Sequence, residues 1–415
     1  MSVHPTEVRI LKTIFIEGFQ MKKSLLALAV LGAFAGAAQA QSTVSIYGII
    51  DTGVVYQSKV ATTAGDTGSK FSLNSGVIQG SRIGFKGVEN LGGGLNAVFN
   101  LETGFSNDTG GLQGSDAVSG SNLFRRKSVV GLSGDFGTVL LGRQTDFADT
   151  LSVYTSVNEF GGWTGNVGHN LDRVEGTRTN NSISYTTTNL SGITGNLLYG
   201  FGEQAGKTSA GQSFGAGLKY DNGPLGLGLS YYQSKANGSS PSDVSLIPAT
   251  ATTVTPNTLA ANQGSTAYKG WNLVASYQFG PARVYGNWSR VKQDLNTQAN
   301  LTASSVGSLS IVTNRTLARS NKADVYEIGT AYSLTPALKL LGAVQHTRAQ
   351  FDGVSGKGKL TAYNLGTDYS LSKRTDLYAF ATYIRATDIV NTGISDSTGV
   401  AGNQAAVAVG IRHKF

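Results

Sequence analysis

Cysteine is missing from all 415 residues, which removes disulfides, thiolate nucleophiles and Cys-ligated metals together. The same lack suits a chain that passes through an oxidising periplasm, where a stray thiol is a hazard. Methionine (2) and proline (7) are scarce, and charged residues make up only 14% of the chain, against about 25% in soluble proteins. Beyond the N-terminal leader there is no continuous apolar run of about 20 residues, the length a helix needs to cross a bilayer. Against these shortages stand 55 Gly, 17 Tyr and 17 Phe. A chain with few charges, many aromatics and no apolar block spreads its hydrophobicity through alternation. That is the composition of a membrane β-barrel, a signal weak in any one segment and cumulative over many.

The N-terminus reads as an export signal. Met21-Lys22-Lys23 is a basic start, Leu25 to Ala37 an apolar core, and Ala38-Gln39-Ala40 a small-x-small cleavage site. Cleavage between Ala40 and Gln41 is expected, residues 1–20 are read as a mis-assigned upstream extension, 21–40 as the signal peptide and 41–415 as the barrel domain. Losing residues 1–40 removes four basic and two acidic groups, so the net charge falls from +8 to +6. Such a mild excess in an exported protein gives no reason to expect nucleic acid, and it biases a pore toward anions.

From Gln41 onward one unit recurs: about ten alternating residues, then a connection. Leu225, Leu227, Leu229 and Tyr231 alternate with Gly226, Gly228 and Ser230. Trp271, Leu273, Ala275, Tyr277 and Phe279 alternate with Asn272, Val274, Ser276, Gln278 and Gly280. Aromatic residues close many of the apolar faces, as an interfacial girdle requires. Tight connections such as Asp221-Asn-Gly-Pro224 and Gly280-Pro281 alternate with long polar ones such as Ser106 to Asn122, Thr145 to Thr179, Ala236 to Tyr268 and Asp294 to Lys322. Sixteen strands result, beginning near Thr43, Ser81, Leu95, Leu123, Gly137, Asn181, Ile193, Phe214, Leu225, Gly270, Ala282, Ala323, Ala337, Lys359, Thr375 and Gln404. The fold class is all-β, a closed antiparallel transmembrane barrel, and at this strand number the lumen is aqueous.

Charges on such strands cannot face lipid at mid-membrane, where each costs about 2–4 kcal/mol. Arg82 and Lys86 alternate with Ile83 and Phe85 and therefore belong in the lumen; Arg126 points inward or lies near a rim. Arg143 shares a face with Val139 and Leu141, so either a bulge near Gly142 turns it inward or it is not a lumen residue.

Several segments resemble the general porins of Gram-negative bacteria, most closely the trimeric β-proteobacterial group. They are Val44-Ser-Ile-Tyr-Gly-Ile-Ile-Asp-Thr-Gly53, Ser81-Arg-Ile-Gly-Phe-Lys-Gly87, Val130-Gly-Leu-Ser-Gly-Asp-Phe-Gly-Thr-Val139, Leu141-Gly-Arg-Gln144, Asn158-Glu-Phe-Gly-Gly162 and Gly410-Ile-Arg-His-Lys-Phe415. The resemblance implies a homotrimer of 16-stranded barrels in the outer membrane, each with a third extracellular loop, here Thr145 to Thr179, folded inward. It implies that Glu159 is the acid of the constriction and that Arg82, Arg143 and Arg178 are the bases facing it, while Phe415 is the signal read by the outer-membrane insertion machinery. Outer-membrane lipid and lipopolysaccharide are the expected surroundings, and small hydrophilic solutes the cargo.

Catalysis has little to work with. His169, His346 and His413 are the histidines after the leader, none in a recognisable constellation, and no His/Cys spacing suits a metal. Gly206-Lys207-Thr208 lacks the first glycine of a phosphate loop and ends a strand instead of opening a helix. The expected function is a passive channel, without cofactor or metal and mildly anion-selective. Alternatives are a substrate-preferring porin, a plugged structural or adhesin barrel, and an outer-membrane lipid enzyme. Small inward faces such as Gly226, Gly228 and Ser230 favour an open channel over a plugged one.

Overall fold

Period-two sequence becomes strand wherever large apolar side chains can face one side and small or polar ones the other. In the computed structural model, which describes residues 43–62, 67–112, 123–165, 176–235, 268–293, 320–351, 357–389, 393–394 and 402–415, this produces seventeen strands. They are β1 (Thr43–Ala61), β2 (Thr67–Ser75), β3 (Arg82–Gly92), β4 (Leu95–Gly104), β5 (Lys127–Gly134), β6 (Gly137–Thr145), β7 (Arg178–Thr186), β8 (Ile193–Gly200) and β9 (Ser213–Asn222). Then follow β10 (Leu225–Ser234), β11 (Tyr268–Phe279), β12 (Ala282–Gln293), β13 (Ser320–Ser333), β14 (Leu338–Phe351), β15 (Lys357–Ser370), β16 (Thr375–Thr387) and β17 (Asn403–Lys414). Two short helices, α1 (Phe147–Leu151) and α2 (Ser156–Gly165), lie between β6 and β7, joined by a 3-10 turn at Ser152–Tyr154.

Apart from β2 and β3, which both pair with β1, each strand pairs antiparallel with the next, and β17 returns to β1 over Ile49↔Lys414 to Gln57↔Ala406. The last residue completes the seam: Phe415 and Gly48 exchange both backbone hydrogen bonds, at 3.0 and 3.1 Å. Its ring lies over Gly48, where a Cβ would stand 2.4 Å from it. Closure is what lipid demands, since an open edge would strand backbone groups at several kcal/mol each.

Seventeen strands occupy sixteen positions in the wall. β2 pairs the upper half of β1 (Thr52 to Ala61), and β3 pairs the lower half (Thr43 to Ile49) on the same side. Periodicity gives sixteen strands because it has no strand at Thr67–Ser75, a segment of nine residues with only Phe71 and Leu73 as large outward side chains. Between β2 and β3 the chain leaves the wall, turning at Gly76 (φ +71°) and burying Val77 and Ile78.

Burial is the reverse of a soluble core. Leu365 is 68% exposed and Ile328 64%, whereas Asn364 and Gln345 are 1% and 0% exposed. The apolar side faces lipid and the polar side faces inward. No helix among the described residues is long and apolar enough to cross a membrane; the crossing is made by strands. The leader, with Ala40 and Gln41, and the middles of the long connections lie outside the described residues.

Candidate pore site

The described parts of the chain between β6 and β7 are fastened to the non-lipid face of the wall. Asp146 caps α1 by accepting from the Ala148 N–H (2.8 Å), and its backbone bonds to Thr177 (2.9 Å), bringing the two ends of the segment together. Three glycines make room for three large side chains. A Cβ at Gly217 would stand 2.1 Å from Phe147, one at Gly228 2.4 Å from Leu151, and one at Gly226 2.4 Å from Tyr154. The Tyr154 hydroxyl donates to Asp221; burial first, then that bond, push its phenol well above the ordinary value, so it stays a neutral donor. Gly226 and Gly228 are therefore covered, and their smallness reflects this packing; it is not a sign of open lumen.

Beyond the 3-10 turn the contacts become polar. The Ser156 N–H donates to buried Glu327 of β13 (2.6 Å), which also accepts from Gln345 of β14 (2.5 Å). Arg283 of β12 holds the Val153 carbonyl (2.7 Å) and forms an ion pair with Glu159. α2 is kinked at Gly161 (φ +72°), where a Cβ would stand 2.0 Å from the Ile78 carbonyl. Phe160 packs on Phe380 (centroids 5.4 Å apart) in one cluster with Val77 and Ile78.

A second feature lies on β3 to β7, at the strand ends away from the tight turns. Glu102 of β4 receives Arg126 at 2.6 Å, Arg82 at 3.8 Å and the Tyr47 hydroxyl at 2.9 Å. Arg82 is within electrostatic reach of Arg126, Glu102, Asp149 and Arg178. Gly142 has φ +126° and the pairing with β7 slips between Gly142 and Gln144, but the extra residue lies in β7, where Asn180 and Asn181 stand against Arg143, so Arg143 stays opposite Ser128 on the outward face of Val130 and Leu141 and is not turned inward. Arg143 then binds the Arg125 carbonyl and the Asn180 side chain, with Arg178 as an electrostatic neighbour. Lys86 lies two pleat repeats further down β3, over the Tyr47 ring at 5.3 Å.

Of the expected bases, Arg82, Arg126 and Arg178 gather as one group with Lys86 at its margin, whereas Arg143 lies on the outward face with Arg178 and Arg125 as its charged neighbours. The expected acid is not with them. Glu159 is paired with Arg283, and β12 lies across the ring from β3 to β6. The acids that do accompany the arginines are Glu102 and Asp149, neither of which sequence reasoning singled out as a site residue. Glu102 was readable, since alternation sets it on the polar face of β4; so was Arg283, which alternates with outward Val284 just after a tight turn. Asp149, Asp51 and Glu327 gave no comparable signal, because their partners are remote in sequence. Among the described residues no three His, Cys, Asp or Glu side chains converge as metal ligands, and His346 and His413 bond to Thr361 and Thr375.

A model of the Gram-negative porin family matches residues 27–389. The chain belongs to that family. An outer membrane porin protein of Bordetella pertussis is 32% identical, the match covering 95% of this chain and all of that protein. Outer membrane porin protein 32 of Delftia acidovorans is also 32% identical, over 95% of this chain and its own full length. Among solved structures, the anion-selective porin from Comamonas acidovorans superposes with a TM-score of 0.65 at 28% identity, covering 90% of this chain and all of that one. The porin is thus an outer-membrane diffusion channel and not an enzyme, of the β-proteobacterial type that the sequence motifs resemble.

Proposed function

We propose that this porin is a mildly anion-selective pore for ions and small hydrophilic solutes, narrowed by the Thr145 to Thr179 connection folding into the lumen. One observation carries the reading: Arg82, Arg126 and Arg178 gather on neighbouring strands with Glu102 and Asp149 as their acidic company among the described residues. A net positive field in a low-dielectric wall raises the local anion concentration without binding any anion tightly. The solved anion-selective relative supports the same sign. Lys86 extends the positive face toward the periplasmic mouth. Glu159 acts on the opposite wall, neutralising Arg283 and holding the connection in place, so the transverse field runs between the arginine group and the Glu102/Asp149 carboxylates.

The assembly that goes with this reading is a homotrimer inserted in outer-membrane lipid, its insertion aided by Phe415 at the closing seam. The aliphatic outer faces of β1 and β17, with Val44, Ile46, Val54, Val407, Val409 and Ile411, suit contact between copies. The deciding experiment is the zero-current potential across a planar bilayer in a KCl gradient. Arg82→Gln with Arg126→Gln should lower the chloride-to-potassium permeability ratio on the order of twofold. A ratio unchanged in correctly folded variants overturns the assignment.

A further inference from the structure

Glu327 of β13 is a carboxyl that ion selectivity does not use, and it is sealed inside the wall at 7% exposure, with Gln345 and Ser156 fully buried beside it. One of its oxygens accepts from the Ser156 N–H and the other from the Gln345 amide. Two N–H donors suit an ionised carboxylate, which accepts roughly twice as strongly as a neutral acid. Among the described residues no base forms an ion pair with it. On β12 the base of the inner face is Arg283, two inward repeats below Asn287, lying over the Tyr285 ring at 5.1 Å and engaged by Glu159 of α2. Tyr285 itself turns its hydroxyl to that of Ser156, at 3.4 Å. On β14 the inward base is Lys339, three repeats below Gln345 and opposite Asp368 of β15. The inward neighbours of Glu327 on its own strand, Val325 and Gly329, carry no charge. A carboxylate held this way costs free energy that a single proton removes.

A second observation says where that proton would go. Asn287 stands directly opposite Glu327 on β12, 6% exposed, and both atoms of its amide are buried without a hydrogen-bond partner among the described residues. Buried polar groups are seldom left unpaired, so this one calls for a donor that comes and goes. We propose that Glu327 is a proton-operated latch on the Thr145 to Thr179 connection. Ionised, it seats Ser156 at the start of α2. On acidification a proton from lumen water binds one carboxyl oxygen, and the new O–H donates to the Asn287 carbonyl oxygen. The charge that strengthened the Ser156 N–H bond is then gone, and the 3-10 turn and α2 loosen from the wall. Seating is therefore complete at neutral pH and is lost as pH falls through the titration of Glu327. One proton selects between two arrangements of the same side chains, as a switch requires. The latch rests on the proposed narrowing of the lumen by this connection.

The test exploits the absence of cysteine. Val153→Cys supplies a single thiol for a nitroxide on the 3-10 turn, at the residue whose carbonyl Arg283 holds. Purified full-length porin carrying it is read twice between about pH 7.5 and about pH 5: nitroxide mobility by electron paramagnetic resonance, and closing frequency in a planar bilayer. With Glu327 intact, acid should mobilise the nitroxide and raise the closing frequency on the order of tenfold. Glu327→Gln should show the acid behaviour already at neutral pH and lose the response. Asn287→Leu removes the acceptor and leaves the carboxyl, so the response should move to lower pH. Glu159→Gln, the other acid facing this region from the connection, should keep the response. A response that persists unchanged in Glu327→Gln overturns the latch, as does an unshifted response in Asn287→Leu or a nitroxide that acid fails to mobilise. Mobility that rises in acid under a steady current supports the latch and overturns instead the narrowing of the pore by this connection.

Discussion

Gly217, Gly226 and Gly228 do for this porin what a groove does for a helix: their missing side chains seat Phe147, Tyr154 and Leu151. Adding bulk there is overpacking, which costs about 1–3 kcal/mol, and the cheapest relief is to push α1 and the 3-10 turn off the wall. Gly228→Leu should leave the barrel intact, as judged by heat-dependent gel mobility, and give unstable single-channel currents. Steady wild-type currents would mean that the seat is not needed. Charge acts at the same scale. Glu102 stands between Arg82 and Arg126, so Glu102→Gln removes the acid and leaves the bases. The chloride-to-potassium permeability ratio should rise, on the order of twofold, opposite in sign to loss of an arginine. A fall in that ratio would place Glu102 outside the ion path. The sequence made Arg82 readable, because it alternates with the apolar Ile83 and Phe85, and a charge on that lipid-facing side would be costly. It hid which acid meets the arginines: Glu159 sits in the family motif, yet its partner Arg283 lies 124 positions further along the chain.

Among elements, the excursion between β2 and β3 is the least regular and the most connected. The Asp51 side chain accepts from the Ile78 N–H (2.9 Å), the Gln79 N–H (2.8 Å) and the Tyr378 hydroxyl (2.6 Å), and its carbonyl accepts from the Gly76 N–H (2.7 Å). This clamp presents Val77 and Ile78 to Phe160 at the kink of α2. If the clamp fixes the inner segment, Asp51→Asn should lower the voltage at which the channel closes and increase open-state noise, with ion selectivity preserved. An unchanged closing voltage in folded protein would show that β13 and β12 hold the segment unaided. Strands were legible to this depth because alternation reports which way each side chain faces. The β2 strand and the excursion were not, because a strand of nine residues followed by a turn has too few outward apolar side chains to announce itself. The slip in pairing near Gly142 does not lift the conflict the sequence showed: the extra residue is in β7, and Arg143 stays on the apolar face with Val139 and Leu141.

For the whole molecule, chirality and closure leave little freedom once sixteen wall positions alternate greasy and polar faces. The seam from Ile49↔Lys414 to Gln57↔Ala406, finished by Phe415 on Gly48, joins the two ends of the sheet, whose edges would be costly in lipid if left open. Outside that wall the side chains are mostly apolar; inside they are small or polar, with arginines grouped on one flank. Conduction follows from this division alone, whatever solute the cell passes through it. The most direct measurement is the current through purified protein added to a planar lipid bilayer in KCl. The account predicts stepwise, ohmic insertions, commonly in groups of three, carrying more chloride than potassium. A folded, membrane-inserted protein that passes no current would contradict it.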